Sequence, residues 1–223
     1  MNTKVKLMEA EAKALHLFKT IEDREIIRAG KSEIQINTEI YNLAFELFGI
    51  EKYWHKRIVR AGANTLKPYD ENPPNLILQK DDIIFLDFGP VFEDWEADFG
   101  RTYVIGNDPH KHKLKKDIEQ AWYEAKEWFS QQTKLTGAEF HQYIIDLAKK
   151  YGWIYGGQLA GHLIGHFPHE RLEPKNYGLY VHPENPNDMF LPDANGNKRH
   201  WILEIHFIDS EKQIGGFFEQ LLT

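Results

Sequence analysis

The chain has 223 residues, enough for one large domain or two merged halves sharing a core, and its 42% hydrophobic and 27% charged content is that of a globular protein. A net charge of −7 argues against a nucleic-acid partner, which selects basic surfaces. The absence of cysteine excludes disulfides, thiolate zinc sites and a cysteine nucleophile, and no apolar run reaches the roughly 18 residues of a membrane span.

Residues 2–28 lack Gly and Pro and carry apolar residues at spacings of three and four, which predicts a helix stopped at Gly30. Being charged and periodic, this segment lacks the apolar core of a signal peptide, and a cytoplasmic location is expected. A second helix fits 33–48, ending at Gly49. Residues 64–75 hold three Pro without periodicity and read as a loop. DDIIFLDFG, a continuous apolar run ended by Gly, reads as a buried strand, and WEADFGRTYVIG as another. HKLKKDIEQAWYEAKEWFSQQ is an amphipathic helix. TGAEFHQYIIDLAKKYG is a further one, with Thr136 as N-cap, Glu139 completing a capping box and Gly152 as stop. The remainder reads as strand and loop, ending in WILEIHF and GGFFEQLLT. The order helices, strands, helices, strands points to an α+β architecture in which two similar halves build one sheet. No repeat of fixed period is present, so the halves match in pattern only.

Four acidic residues interrupt apolar runs. Asp87 follows Ile83–Leu86, Asp98 precedes Phe99, Glu204 is flanked by Leu203 and Ile205, and Glu219 follows Phe218. A carboxylate buried in such a strand without a partner costs several kcal/mol or neutralises itself. Each could instead end a strand and meet water or a cation, as Asp98 could meet Arg101. Alternatively, the four converge on cations: two divalent ions balance four carboxylates, and oxygen donors with an imidazole suit Mn, Fe, Co or Zn. Glu93, Asp94 and Glu96, between the first two acids, read as solvated loop charges.

The stretch AGHLIGHFPHE places His162, His166 and His169 close together. A helical metal motif fails here, because Leu163 stands where a Glu is needed and Gly161, Gly165 and Pro168 oppose a helix. Spacing alone does not choose among the three.

Taken together, Asp87 in LDFG, Asp98 in ADFGRTYVIG, His162 in GHLIG, Glu204 in ILEIHF and Glu219 in FFEQLL resemble the pita-bread metallopeptidases, which include methionine aminopeptidase, Xaa-Pro aminopeptidase and prolidase. The resemblance runs from about residue 15 to the end. It implies two pseudo-symmetric halves around a curved antiparallel sheet, and a single catalytic domain over residues 1–223. It also implies two divalent metal ions held by Asp87, Asp98, His162, Glu204 and Glu219, with manganese a candidate. A second histidine seven residues after the ligand fits His162 and His169 but not His166, whose seventh neighbour is Glu173. By the same resemblance His169 contacts substrate, Glu204 also serves as general base, and His166 is left to packing or the pocket wall. Trp153, Tyr155, Arg171 and Tyr177 are further pocket-wall candidates.

The family's further active-site histidine would fall near Lys67-Pro68-Tyr69, where none stands; His55 is the candidate to take that catalytic role. ILEI replaces the family's T-I-E-P around the fourth ligand. The length suits the methionine aminopeptidase layout, without the N-terminal domain of the Xaa-Pro enzymes, whereas the ligand surroundings are nearer the Xaa-Pro branch. The activity implied is metal-assisted hydrolysis of a peptide or small amide near a free N-terminus. The alternatives are a related C–N hydrolase acting on a non-peptide substrate, and a non-catalytic binding module of the same fold. The expected partner is the substrate, with a homodimer as the candidate assembly and neither nucleic acid nor membrane involved.

Overall fold

The computed structural model describes residues 2–168 and 176–223. Four helices, α1 (Thr3–Asp23), α2 (Glu33–Phe48), α3 (Pro109–Ser130) and α4 (Gly137–Tyr151), are found among them. Helices α2 and α4 begin and end on the same devices. Ser32 Oγ accepts the Gln35 N–H at 3.2 Å while Gln35 Oε1 accepts the Ser32 N–H at 2.8 Å. Thr136 and Glu139 repeat that box at 3.1 and 2.8 Å. Gly49 (φ 65°) and Gly152 (φ 81°) close the two helices in the left-handed region that glycine enters without steric cost.

Helix α1 stops well before Gly30, and Glu25 is the reason. Its φ is 49°, and around it the Ile26 N–H reaches Ile21 O (3.1 Å) and the Glu25 N–H reaches Glu22 O (3.0 Å). This pair of bonds satisfies the last carbonyls of the helix, and Ile21 and Ile26 bury in one apolar cluster beside it. Glutamate at such a position carries no sequence signal.

The strands are β1 (Ile58–Ala61), β2 (Ile83–Phe88), β3 (Val91–Phe92), β4 (Trp95–Glu96), β5 (Phe99–Val104), β6 (Ile154–Tyr155), β7 (Ile202–Asp209) and β8 (Ile214–Leu221). The segment expected as one strand, WEADFGRTYVIG, is two: β4 pairs with β3 in a hairpin turned by Glu93 (φ 51°) and Asp94 (φ 68°), and β5 follows. Glu93 and Asp94 are exposed as expected, but Glu96 is not a loop charge. It is 1% exposed, and its carboxylate accepts the Gly165 N–H at 3.2 Å.

The remaining strands form an antiparallel sheet in the order β1-β2-β5-β8-β7-β6. Its left half follows α1 and α2 and its right half follows α3 and α4, as the order of elements predicts. Each half has its own apolar cluster, one around Phe18, Ile36, Phe88 and Phe99, the other around Trp122, Phe140, Trp201 and Phe207. No described helix is long and apolar enough to cross a membrane.

The halves meet at β5 and β8, where the ladder registers a single pair, Gly100 with Glu219. Side chains supply what the backbone does not. Thr102 Oγ1 accepts the Phe217 N–H at 2.7 Å and donates to Phe217 O at 2.9 Å. Arg101 donates to Glu219 O at 2.9 Å and to the Gln220 side chain, with its guanidinium between the Phe99 and Phe218 rings. Arg101 is thus a rivet of the seam and not the partner of Asp98. Thr102→Val keeps the volume but strands a buried N–H and C=O of Phe217; it should cost about 1–3 kcal/mol, read as a lowered urea midpoint. An unchanged midpoint would remove Thr102 from the seam.

Candidate metal centre

The register of the sheet carries the acids into one row. Asp87 on β2 stands opposite Gly100 on β5, Gly100 opposite Glu219 on β8, and Glu219 opposite Glu204 on β7. Directly opposed residues of antiparallel strands share a face, so Asp87, Glu219 and Glu204 project to the same side. Asp98 lies two residues before Gly100, where strand alternation returns the same side. Gly100 leaves the middle of the row open; a Cβ there would lie 2.6 Å from the Phe217 ring.

His162 approaches from the segment 160–164, which runs beside the start of β7. The Ile202 N–H reaches His162 O at 2.8 Å and the Glu204 N–H reaches Ala160 O at 3.1 Å. Gly161 permits this approach: its φ is 146° and a Cβ would lie 2.1 Å from Ile202 O. His162 Nε2 lies 3.0 Å from Asp98 Oδ2 and 3.8 Å from Glu219 Oε1. His55 comes from the other side, with Nε2 at 3.1 Å from Asp98 Oδ1 and 3.5 Å from Asp87 Oδ1. Although distant in sequence from the expected loop position, it reaches the cluster. Tyr69 stands on that loop instead, its hydroxyl accepting the Lys56 N–H at 3.2 Å and its ring 6.0 Å from the His55 ring.

All of the expected ligands and His55 line one cavity of about 580 Å³. Its walls are Trp54, Tyr69, Phe85, Tyr180 and Phe217, with Gly156–Leu159 at one edge. The expected wall residues lie elsewhere: Trp153 is in the core with its N–H on Asp117, Tyr177 stacks on His182, and Tyr155 is not part of the lining. His166 packs edge-on against Trp95, ring centroids 5.1 Å apart, outside the cavity lining. His169 and Arg171 lie outside the described residues.

The electrostatics are those of too many carboxylates in one place. Burial pushes Asp87 up to about 7, against the His55 cation and reinforced by the Asp98 charge. Burial pushes Glu204 up to about 8 and drives Glu219 well above the ordinary carboxylate range. Asp98 moves the other way: burial opposes its charge, but His55 and His162 together outweigh that and lower it. Burial opposes both imidazolium cations as well; Asp98 and Asp87 nevertheless hold His55 at about 9, and Asp98 and Glu219 hold His162 well above its usual value. The cluster therefore gathers protons to offset its charge, a role that divalent cations fill equally.

The donors fit such cations. Glu219 is 1% exposed, and its Oε2 has no hydrogen-bond partner among the described residues. A buried carboxylate oxygen of that kind is costly unless something positive meets it. Two groups of donors close enough to share an ion are present, His55 with Asp87 and Asp98, and Asp98 with His162 and Glu219. Asp98 is common to both.

Residues 6–193 match the family model of metallopeptidase family M24. The Xaa-Pro dipeptidase of Pyrococcus horikoshii is 24% identical over 144 residues, 64% of this chain and 39% of that protein. The structure of X-Pro aminopeptidase from Thermotoga maritima aligns with a TM-score of 0.76 at 21% identity, over 97% of this chain and 56% of the other. Methionine aminopeptidase from Rickettsia prowazekii aligns with a TM-score of 0.71 at 16% identity, over 97% of this chain and 91% of the other. The chain thus spans about two fifths of the Pyrococcus relative and over half of the Thermotoga one. The fold is the pita-bread fold expected from the ligand order.

The pKa shifts fix a pH dependence. Asp87 and Glu204 move from ordinary values of 3.8 and 4.5 to about 7 and about 8, and His55 from 6.5 to about 9. Between each pair of values the native state binds more protons than the unfolded chain, so stability falls as pH rises. The contribution is fully present below the unfolded values and is lost through the native ones. Chelator-treated protein should accordingly lose stability from about pH 5 to about pH 9, and saturating Mn or Co should flatten that fall. Denaturation midpoints across this range, with and without metal, check it; a midpoint of the chelated protein that rises with pH is the opposing result.

Proposed function

We propose that this chain, which belongs to metallopeptidase family M24, is a dinuclear metal-dependent hydrolase of the aminopeptidase type. Its substrate would be a peptide or small amide cut near a free N-terminus, with Xaa-Pro or Met-Xaa peptides as first candidates. In this reading residues 1–223 act as one catalytic domain, and Asp87, Asp98, His162, Glu204 and Glu219 hold the ions. The observation that carries it is the single row of carboxylates with His162 against Asp98 and an orphaned Glu219 oxygen in the same cavity. Bound divalent ions would acidify water and polarise the scissile carbonyl.

The residues around the ions have their own work. Glu204 faces the cavity from β7 beside Glu219, where it can take a proton from the attacking water and return it to the leaving amine. Aromatic walls at Trp54, Tyr69, Tyr180 and Phe217 exclude water from the reacting bond and suit an apolar side chain. His169 is assigned contact with the substrate through the seven-residue spacing from His162. Tyr69 at the loop position where a histidine was expected favours a second reading, hydrolysis of a non-peptide C–N bond on the same centre.

Metal content separates hydrolase from binding module: protein prepared without chelator should hold Mn, Fe, Co or Zn, and no uptake from Mn or Co would end the hydrolase reading. A panel of Met-Xaa dipeptides, Xaa-Pro dipeptides and non-peptide amides then distinguishes the two hydrolase readings. Glu204→Gln should lower turnover by about 10²–10⁴-fold with the far-ultraviolet circular dichroism unchanged. Retained turnover would take Glu204 out of the reaction.

A further inference from the structure

We propose that His55 is a sixth metal ligand, holding the ion on the Asp87–Asp98 side of the cavity. The inference rests on the metallohydrolase reading and adds a donor to the Asp, Asp, His, Glu, Glu set from which that reading starts.

The two histidines are presented in the same way. His55 Nδ1 lies 2.8 Å from Lys56 O, and His162 Nδ1 lies 2.8 Å from Leu163 O, in each case the carbonyl of the following residue. A carbonyl only accepts, so Nδ1 carries the hydrogen in both rings, and the neutral form of each turns the lone pair of Nε2 towards the acids. This is the arrangement by which proteins fix a ligating imidazole, with the remote nitrogen anchored on a carbonyl and the near one free to coordinate.

The distances agree. Donor atoms bound to one ion at about 2.1 Å, and separated by angles of roughly 90–110°, lie about 3.0–3.4 Å from each other. His55 Nε2 is 3.1 Å from Asp98 Oδ1 and 3.5 Å from Asp87 Oδ1. His162 Nε2 is 3.0 Å from Asp98 Oδ2. Asp98 therefore offers one oxygen to each imidazole, as a carboxylate bridging two ions would. Trp54 packs edge-on against both rings, at 4.5 Å from His55 and 5.0 Å from His162, and holds them in a fixed relation.

The assignment also equalises the halves. His55, Asp87 and Asp98 come from the part of the chain before α3, and His162, Glu204 and Glu219 from the part after α4. Each half then contributes one imidazole and two carboxylates, and the net charge of two divalent ions with four carboxylates is unchanged by the added neutral ring. Without His55, the ion beside Asp87 would have oxygen donors only. With it, both ions have the mixed nitrogen and oxygen environment that favours Co, Fe or Zn over Mg.

The test uses the full chain loaded with two equivalents of Co(II). Proton NMR in water should show two exchangeable imidazole N–H signals shifted by the paramagnetic ions, because both Nδ1–H groups are anchored and protected. His55→Ala should lose one of them and bind its weaker ion at least about tenfold less tightly in competition with a chelator, while the other ion is unaffected. Two bound ions with one shifted N–H in the unmodified protein would overturn ligation by His55 and leave the proposed function standing. Uptake of no Co(II) would overturn both. Should His55→Ala fail to fold, the count of signals in the unmodified protein still decides.

Discussion

Carboxylates held side by side on one face of a buried sheet repel one another, and every element near the seam bears on keeping them there. Two demands follow, one on the backbone behind the row and one on the charge in front of it. Behind the row, on the opposite face of β5, the guanidinium of Arg101 sits between two phenylalanine rings and donates to the backbone carbonyl of Glu219. Burial pushes Arg101 down to about 10, so at neutral pH it still carries its charge. In front of the row the cavity must supply the offsetting charge. Two imidazoles and the protons on the raised carboxyls do so in the absence of metal, and Glu204 and Glu219 stand on β7 and β8, across the seam from the half that carries His55.

The position of the cluster follows from how the two halves are joined. β1–β2, β2–β5 and β7–β8 pair over four, six and eight residues, but across the seam a single registered pair links β5 to β8. A seam that thin leaves buried backbone groups without ladder partners, which is costly unless side chains meet them. Thr102 and Arg101 recover them with side-chain bonds. The residues of the Asp98–Thr102 segment thus have divided labour: Asp98 faces the cavity, while Arg101 and Thr102 close the sheet under it. A motif that looks like one functional unit in sequence is a donor followed by its foundation.

What could be read in the chain was local. Helices α2 and α4 each have a capping box at one end and a glycine at the other, within a few residues, and both helices span the residues expected; the Thr136–Glu139 box is expected from the sequence, and the Ser32–Gln35 box is added by the structure. The end of α1 was not legible because Glu25 takes the left-handed conformation that glycine usually signals. Glu96 is not legible for a related reason: the Gly165 N–H that it accepts lies 69 residues away, and nothing around Glu96 in sequence distinguishes it from its exposed neighbours Glu93 and Asp94. The acids of the cavity were legible as anomalies, charges inside apolar runs, and their convergence is a property of register. The cavity walls were not legible, since Trp54, Tyr69 and Tyr180 arrive from loops whose paths no periodicity records.

Gly89 shows how a long-range requirement can hide behind a local one. In the sequence it ends an apolar run and reads as the exit of a strand. Its φ is not in the left-handed region, so conformational freedom is not what the position needs. Space is: a Cβ at 89 would lie 2.2 Å from His55 Cδ2 and 2.3 Å from Trp54 Nε1. The backbone at 89 also accepts the Trp54 N–H at 2.9 Å, which brings the segment carrying His55 alongside. A side chain there would push both rings off the cavity wall, and with them the imidazole that approaches Asp87 and Asp98. The glycine two residues after Asp87 is therefore part of how this chain brings a histidine from a distant loop to the acids, and a reading that stops at the strand end passes over it.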